Sequence, residues 1–304
     1  MKRIFTAKES CTRIRALWRA EKFGNRTRCL HCEYERNFWS LSKDKWKCPK
    51  CLKKFGIFTK SWLERTRFKL PEVYEILHWF ELGLTDNDIA QRLEVDYRRV
   101  HRLLLAVREA IAAYEKRTIR VLENTVEVDE SYFGASFKNR RRKQRESLRK
   151  EGTVKRGRGA KGLKQPVFGI YERTDGLVYT ELVDDVSKST LQDILKGKVS
   201  IETTIYSDTW KSYNGLAKIF KGHETIDHGK QEYAKNGVTI NGIEGFWGYA
   251  REGLLKHHGM SPENFPYYLK EMEFRWNNRG LNQKDFVKLL FQVLANKNGD
   301  EFSP

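Results

Sequence analysis

Apolar positions along the chain keep two different periods. Between residues 71 and 113 they recur every three or four positions, which is the spacing of a helix face. Val73, Ile76, Leu77 and Phe80 mark a first helix, Ile89, Ala90 and Leu93 a short second one, and Val100, Leu103, Leu104 and Val107 a third. Pro71 opens the first where its missing N–H does no harm, and Gly83 closes it. Thr85 and Asp88 frame the start of the second, and Glu94, Val95 and Asp96 form the turn into the third. From residue 125 the period falls to two, with β-branched and aromatic residues alternating in short runs. Strands are predicted at 126–133, 167–171, 177–183, 203–207 and around 224–228, with a hairpin turn at Thr174, Asp175 and Gly176. A helix capped by Ser187 or Ser189 carries Leu191, Ile194 and Leu195, and a long helix is predicted from about Ile240 to His257.

Three antiparallel strands, two further strands separated by helical segments and a closing helix make the order of a ribonuclease-H-like domain. The predicted fold class is an α/β catalytic domain of this kind, a mixed five-stranded sheet with helices, behind a small zinc ribbon and a helix-turn-helix segment. The expected organisation is a zinc-ribbon region at 1–65, the helical segment at 70–118, the catalytic domain at 124–290 and a tail at 291–304. A length of 304 residues fits about two domains.

Charge changes the picture more than hydrophobicity does. The hydrophobic share of 39% suffices for a packed core, but 58 Lys and Arg against 40 Asp and Glu leave +18. Residues 1–70 carry +14 and residues 138–164 carry +11, whereas 71–128, 129–137 and 165–304 are slightly acidic. Two basic blocks on an otherwise acidic chain point to a polyanion bound at defined places. No run of roughly 18 apolar residues offers a membrane span, and charges interrupt the start where a signal peptide has its apolar core. The expectation is a cytoplasmic protein with no membrane partner, associated with the nucleoid if bacterial.

Four of the five cysteines form two CxxC pairs, Cys29 with Cys32 and Cys48 with Cys51, and Cys11 is left over. Each pair sets two thiolates on one knuckle, and two knuckles make the closed tetrahedral site of one structural Zn²⁺. His31 lies inside the first knuckle and is read as a polar knuckle residue. Phe38, Trp39, Trp46, Phe55 and Phe58 are read mostly as ribbon core, and Lys43, Lys45, Lys47, Lys53 and Lys54 as phosphate contacts. In the helical segment the short turn before a basic helix start matches a helix-turn-helix, with Arg98, Arg99 and Arg102 as DNA readers and an ordinary helical bundle as the alternative.

Three acids stand out in the second half: Asp129 on the first strand, Asp208 at the end of the fourth and Glu244 on the long helix. The first and fourth strands are neighbours in this topology, so their ends converge. Phosphoryl transfer to water or to a 3′-hydroxyl uses two divalent ions held by hard oxygen ligands. Asp129 would bridge two Mg²⁺ (or Mn²⁺) ions, with Asp208 on one and Glu244 on the other. By period two Glu127 shares the face of Asp129, and Glu130 points the opposite way.

Taken with the knuckles, the segments around Asp129, Asp208 and Glu244, the Arg156-Gly157-Arg158-Gly159 loop and the stretch Glu273 to Arg279 carry a resemblance. The chain resembles the DDE transposases of ISXO-type insertion sequences, related to the Merlin superfamily, from the ribbon to about residue 280. The resemblance implies DNA cleavage and strand transfer at terminal inverted repeats, with Asp129, Asp208 and Glu244 as the metal-binding triad. It also implies double-stranded DNA as partner, both element ends and target, and a homo-oligomer. Some relatives have asparagine as third member, which leaves Asn241 beside Glu244 as an alternative, one helical turn away. A lysine seven residues after the glutamate is replaced by Arg251, which keeps the charge but offers a planar fork. Lys256 is a further cation on that helix, and Arg156 and Arg158 belong to a basic loop at 138–164 expected to order on DNA. A DNA-binding regulator or inactive copy without catalysis is the alternative function, and a retroviral-type integrase the other enzyme class.

Overall fold

A computed structural model of the chain describes residues 9–24, 26–118, 120–134, 142–150, 164–226, 239–257, 260–295 and 297. Packing divides it into two units, Met1–Arg117 with Asn278–Pro304, and Thr118–Asn277.

The first unit is built around a tryptophan. Helix α1 (Glu9–Phe23) has no counterpart in the sequence reading, yet its Trp18 is wholly buried, donates its indole N–H to the Ile57 carbonyl at 2.8 Å and meets Phe58 and Phe291 edge-on. Strands β1 (Trp39–Ser42), β2 (Lys45–Lys47) and β3 (Lys54–Gly56) form an antiparallel sheet between and beyond the cysteine knuckles. Helices α2 (Leu70–Glu81), α3 (Asp86–Leu93) and α4 (Tyr97–Thr118) follow. Thr85 and Asp88 form a reciprocal capping box on α3, Glu94 ends it in the left-handed region, and the Asp96 side chain receives the Arg99 N–H at the start of α4. A buried Arg108 forks onto Asp86 at 2.9 and 3.2 Å and ties α4 to α3.

The last helix among the described residues, α9 (Gln283–Ala295), belongs to this first unit. Its Phe291 packs on Trp18 and Tyr74, the buried Lys22 ammonium donates to the Ala295 carbonyl, and the Trp62 N–H reaches the Leu294 carbonyl. From sequence alone the catalytic domain is expected to run from 124 to 290, with 291–304 as a tail. Packing instead ends the second unit at Asn277, because the apolar face of α9 is buried against α1 and α2.

The second unit holds a five-stranded sheet of β4 (Thr125–Phe133), β5 (Gln165–Glu172), β6 (Leu177–Leu182), β7 (Thr204–Asp208) and β8 (Gly222–Ile226). Its order is β6-β5-β4-β7-β8, with β4, β5 and β6 antiparallel and β7 and β8 parallel to β4. This is a ribonuclease-H-like sheet. Alternation in β4 separates two cores. Val126 and Val128 join Phe168, Ile170, Leu191, Leu195 and Ile205 beneath α6 (Lys188–Lys198), which Ser187 caps. Phe133 on the other face joins Ile243, Phe246, Trp247, Leu269 and Met272 of α7 (Asn241–Leu255) and α8 (Phe265–Asn277).

The Glu273 to Arg279 stretch has a structural task in α8. Strand β6 is an edge, and its outward backbone groups find partners on that helix. Thr180 N–H donates to Glu273 at 2.8 Å, Lys270 donates to the Thr180 carbonyl, and the Asn277 amide both accepts from and donates to Val178. An open edge is thereby closed. Within 138–164, read from sequence as a loop, residues Arg142–Lys150 form helix α5, with Arg142 and Glu146 paired at helical spacing.

Helix α7 comes very close to the sheet at Gly169, the register partner of Asp129. A Cβ there would stand 2.4 Å from the Trp247 ring and 2.9 Å from Ile243, both buried. Gly169→Ala is therefore expected to destabilise the protein by about 2–3 kcal/mol, read from denaturant unfolding. An unchanged midpoint would mean that α7 sits further from the sheet.

Candidate functional site: an acidic end of the sheet and a four-cysteine cluster

The parallel pairing of β4 with β7 sets two of the acids level. Glu127 is opposite Tyr206, so Asp129 and Asp208, each two residues further on, lie at the same height. Tyr206 packs on the α7 side of the sheet, and Asp208 follows it by period two onto the same face as Asp129. Asp208 accepts the N–H of Trp210 at 2.9 Å, a turn that fixes the carboxylate at the strand end. Glu244 is exposed in the first turn of α7, close enough to Asp129 for its charge to act on it. Asp129, Asp208 and Glu244 thus lie towards one end of the sheet, near enough for the charges of Asp208 and Glu244 to act on Asp129.

Their electrostatics follow from that crowding. Burial first, then the negative charges of Glu130, Asp208 and Glu244, push the Asp129 carboxyl up to about 7. Glu130 is likewise pushed up to about 7, by burial first and by Asp208, against the hydrogen bond that Tyr213 donates to it at 2.6 Å. Acids held together against their own repulsion suit a divalent cation, which hard oxygen donors prefer. Among the described residues the three acids do not gather as tightly as the cysteines do.

The other residues singled out on α7 fall at different places. Asn241 is its exposed first residue. Arg251, two turns after Glu244 on the same stripe, donates to Ser131 at 2.7 Å and lies over Phe133, so it borders the face that carries Asp129. Lys256 is exposed at the C-cap. Two residues without an assigned role in the sequence reading also belong here. Glu127 binds the start of α7. Glu130, placed on the opposite face by its period, is engaged there by the fully buried Tyr213. Alternation identified their faces, but the partners lie 116 and 83 residues away.

In the first unit the sulfurs of Cys29, Cys32, Cys48 and Cys51 all lie within 4.8 Å of one another. The knuckle turns are tight, with Glu33 and Leu52 in the left-handed region, and their N–H groups return to the Cys29 and Cys48 carbonyls. Burial alone would raise the Cys48 thiol, but the N–H groups of Cys51 and Lys50 bring it down to about 7. The cluster fits a zinc ribbon. His31 contacts the Lys54 carbonyl at 3.3 Å. The ribbon aromatics are not all core. Phe55 is buried, but Trp39 is 51% and Leu41 48% exposed, because β1 is an edge strand and Lys47 covers only one side of the indole.

Arg98 and Arg102 are exposed at the start of α4, and Arg99 stacks on Phe68 at 4.4 Å. Arg156 and Arg158 lie outside the described residues. No helix among the described residues is long and apolar enough to cross a membrane.

The fold and the acids together define a ribonuclease-H-like domain with an acidic strand end. Residues 121–277, just over half of the chain, match the family of the ISXO2-like transposase domain, and the chain belongs to that family. An uncharacterised transposase-like protein of Haemophilus influenzae is 38% identical over 117 residues, spanning 38% of this chain and 93% of that protein. An uncharacterised protein in the transposable element ISH50 of Halobacterium salinarum is 27% identical over 232 residues, 75% of this chain and 76% of its own length. Among solved structures the catalytic core domain of BIV integrase covers 49% of this chain and 80% of its own, at 12% identity and a TM-score of 0.30. The HTLV-2 integrase catalytic core in complex with magnesium, in its trimeric form, covers 52% and 86%, at 12% identity and a TM-score of 0.28.

Proposed function

We propose that the protein is the transposase of an insertion sequence, cutting double-stranded DNA at the element's terminal inverted repeats and joining the ends to target DNA. The observation that carries the reading is the level placement of Asp129 and Asp208 on adjacent parallel strands, with the charge of Glu244 acting on Asp129. In this reading Asp129, Asp208 and Glu244 would hold two Mg²⁺ (or Mn²⁺) ions. The ions, when bound, supply Lewis-acid activation of an attacking hydroxyl and charge stabilisation at the scissile phosphate. Glu244 is the third ligand in preference to Asn241, since a carboxylate holds a hard cation better than an amide. Arg251, held by Ser131, presents its guanidinium to the DNA phosphate beside the site.

DNA recognition falls to the first unit. One Zn²⁺ on Cys29, Cys32, Cys48 and Cys51 folds the ribbon, whose lysines and exposed Trp39 meet the duplex. Helices α3 and α4 act as a helix-turn-helix, with Arg98 and Arg102 free to reach the major groove and Arg99 directed by its stacking on Phe68. The loop with Arg156 and Arg158, together with Lys256, adds phosphate contacts, and pairing two element ends calls for a homo-oligomer acting on DNA in the cytoplasm. The test supplies end-repeat DNA and Mg²⁺ to wild type and to Asp129→Asn, Asp208→Asn, Glu244→Gln and Asn241→Ala. Binding by all, with cleavage lost in the first three only, is expected. Equal cleavage by all would overturn the triad.

A further inference from the structure

The two-ion reading leaves Glu127 without a task. It lies two residues before Asp129 on the same face and is only 1% exposed, and a buried carboxylate is unfavourable unless its oxygens are held. The first turn of α7 holds them. The N–H of Ile243 donates to Glu127 Oε2 at 3.0 Å, and Arg173 Nε stands 3.3 Å from Oε1. Every α-helix begins with N–H groups that lack intrahelical partners, and Ile240 at the N-cap of α7 offers no side-chain acceptor. Strand β4 therefore caps the helix from across the fold. Gly242 lets the two close on each other, since a Cβ there would stand 2.3 Å from the Tyr171 ring and 2.8 Å from the same Glu127 oxygen.

We propose that Glu127 is a positioning residue: by capping α7 from strand β4 it fixes where Glu244, one residue past Ile243, stands relative to Asp129. This rests on the triad reading above. Asp129 and Glu127 leave the same strand two residues apart, so one rigid segment carries the first metal ligand and the clamp on the helix that carries the third. A ligand on an exposed helical turn thereby gains a fixed place.

The experiment uses the full-length zinc-loaded protein as wild type, Glu127→Gln, Glu127→Leu, Gly242→Ala and Glu244→Gln, each checked for an intact thermal transition and for end-DNA binding. Two quantities are read: amide exchange at Ile243 and Glu244 without divalent ions, and Mn²⁺ affinity by paramagnetic resonance. Glu127→Gln retains an acceptor oxygen and is expected to stay within about threefold of wild type in both. Glu127→Leu is expected to speed exchange at Ile243 at least about tenfold and to weaken Mn²⁺ about tenfold while still binding DNA. Gly242→Ala reaches the same contact from the helix side and should reproduce the Mn²⁺ loss even if Glu127→Leu does not fold. Wild-type exchange and Mn²⁺ affinity in a folded Glu127→Leu or in Gly242→Ala would overturn the proposal. Unchanged Mn²⁺ affinity in Glu244→Gln would overturn the triad reading itself and this role with it, a result distinct from a silent Glu127→Leu.

Discussion

Asp129→Asn is expected to lower Mg²⁺-dependent strand transfer by about a thousandfold and, in the metal-free protein at pH 8, to raise thermal stability. The first effect follows from removing a ligand assigned to the ions, which forfeits several kcal/mol of transition-state stabilisation at 1.36 kcal/mol per factor of ten. The second has the opposite sign for an electrostatic reason. The Asp129 carboxyl titrates at about 7 in the folded chain, raised by burial and by Glu130, Asp208 and Glu244, against about 4 when unfolded. Between those values the native state binds a proton that the unfolded state has released, so stability is full below pH 4 and falls as pH rises towards 7. Asparagine removes that penalty. Because the half-buried carboxyl keeps part of its hydration, the gain is about 1–2 kcal/mol at pH 8 and nothing at pH 4. Thermal scans at the two pH values check it, and added Mg²⁺ should stabilise wild type but not the variant. Equal midpoints for both proteins at pH 8 would mean that the acids do not crowd Asp129.

Ending the chain after Asn282 is expected to abolish end-DNA binding and to unfold the first unit while sparing the sheet of the second. The truncation removes α9, whose Phe286, Val287, Leu290, Phe291, Val293 and Leu294 are buried, and strips Trp18 of one of its ring partners. At about 1.5–3 kcal/mol for each large apolar side chain, this exceeds the ordinary stability margin of a domain. It also leaves the buried Lys22 ammonium without the Ala295 carbonyl. Limited proteolysis provides a readout independent of DNA: residues 9–117 should be cut rapidly while a fragment near 118–277 persists. Protection of 9–117 in the truncated chain would show that α9 is dispensable there. The first unit is thus split in sequence, with α9 made only after the second unit.

The sheet was legible because each strand of the second unit carries a local period-two signal, and β4 to β8 fall within a few residues of where that signal lies. The cysteine quartet was legible for a similar reason, since ligand spacing within a knuckle is local. What remained hidden depended on distant partners. Helix α9 has a clear apolar face, but nothing in residues 283–295 says that the face is for Trp18. Glu127 reads as one more strand carboxylate until Ile243 arrives from 116 positions away. By its chemistry Trp39 reads as ribbon core, and the edge position of β1 exposes it. The acids were identified by the order of elements, and the register of β4 with β7 gives that order a geometric form.

Metal-directed backbone cleavage shows directly whether Asp129, Asp208 and Glu244 together line the place where divalent ions bind. With Zn²⁺ kept in the ribbon, Fe²⁺ is supplied in place of Mg²⁺, radicals are generated with ascorbate and peroxide, and the cuts are mapped by mass spectrometry. Cuts clustered near residues 129, 208 and 244, suppressed by excess Mg²⁺ and absent in Asp129→Asn, are predicted. Cuts confined elsewhere, or an unchanged pattern in Asp129→Asn, would contradict that assignment.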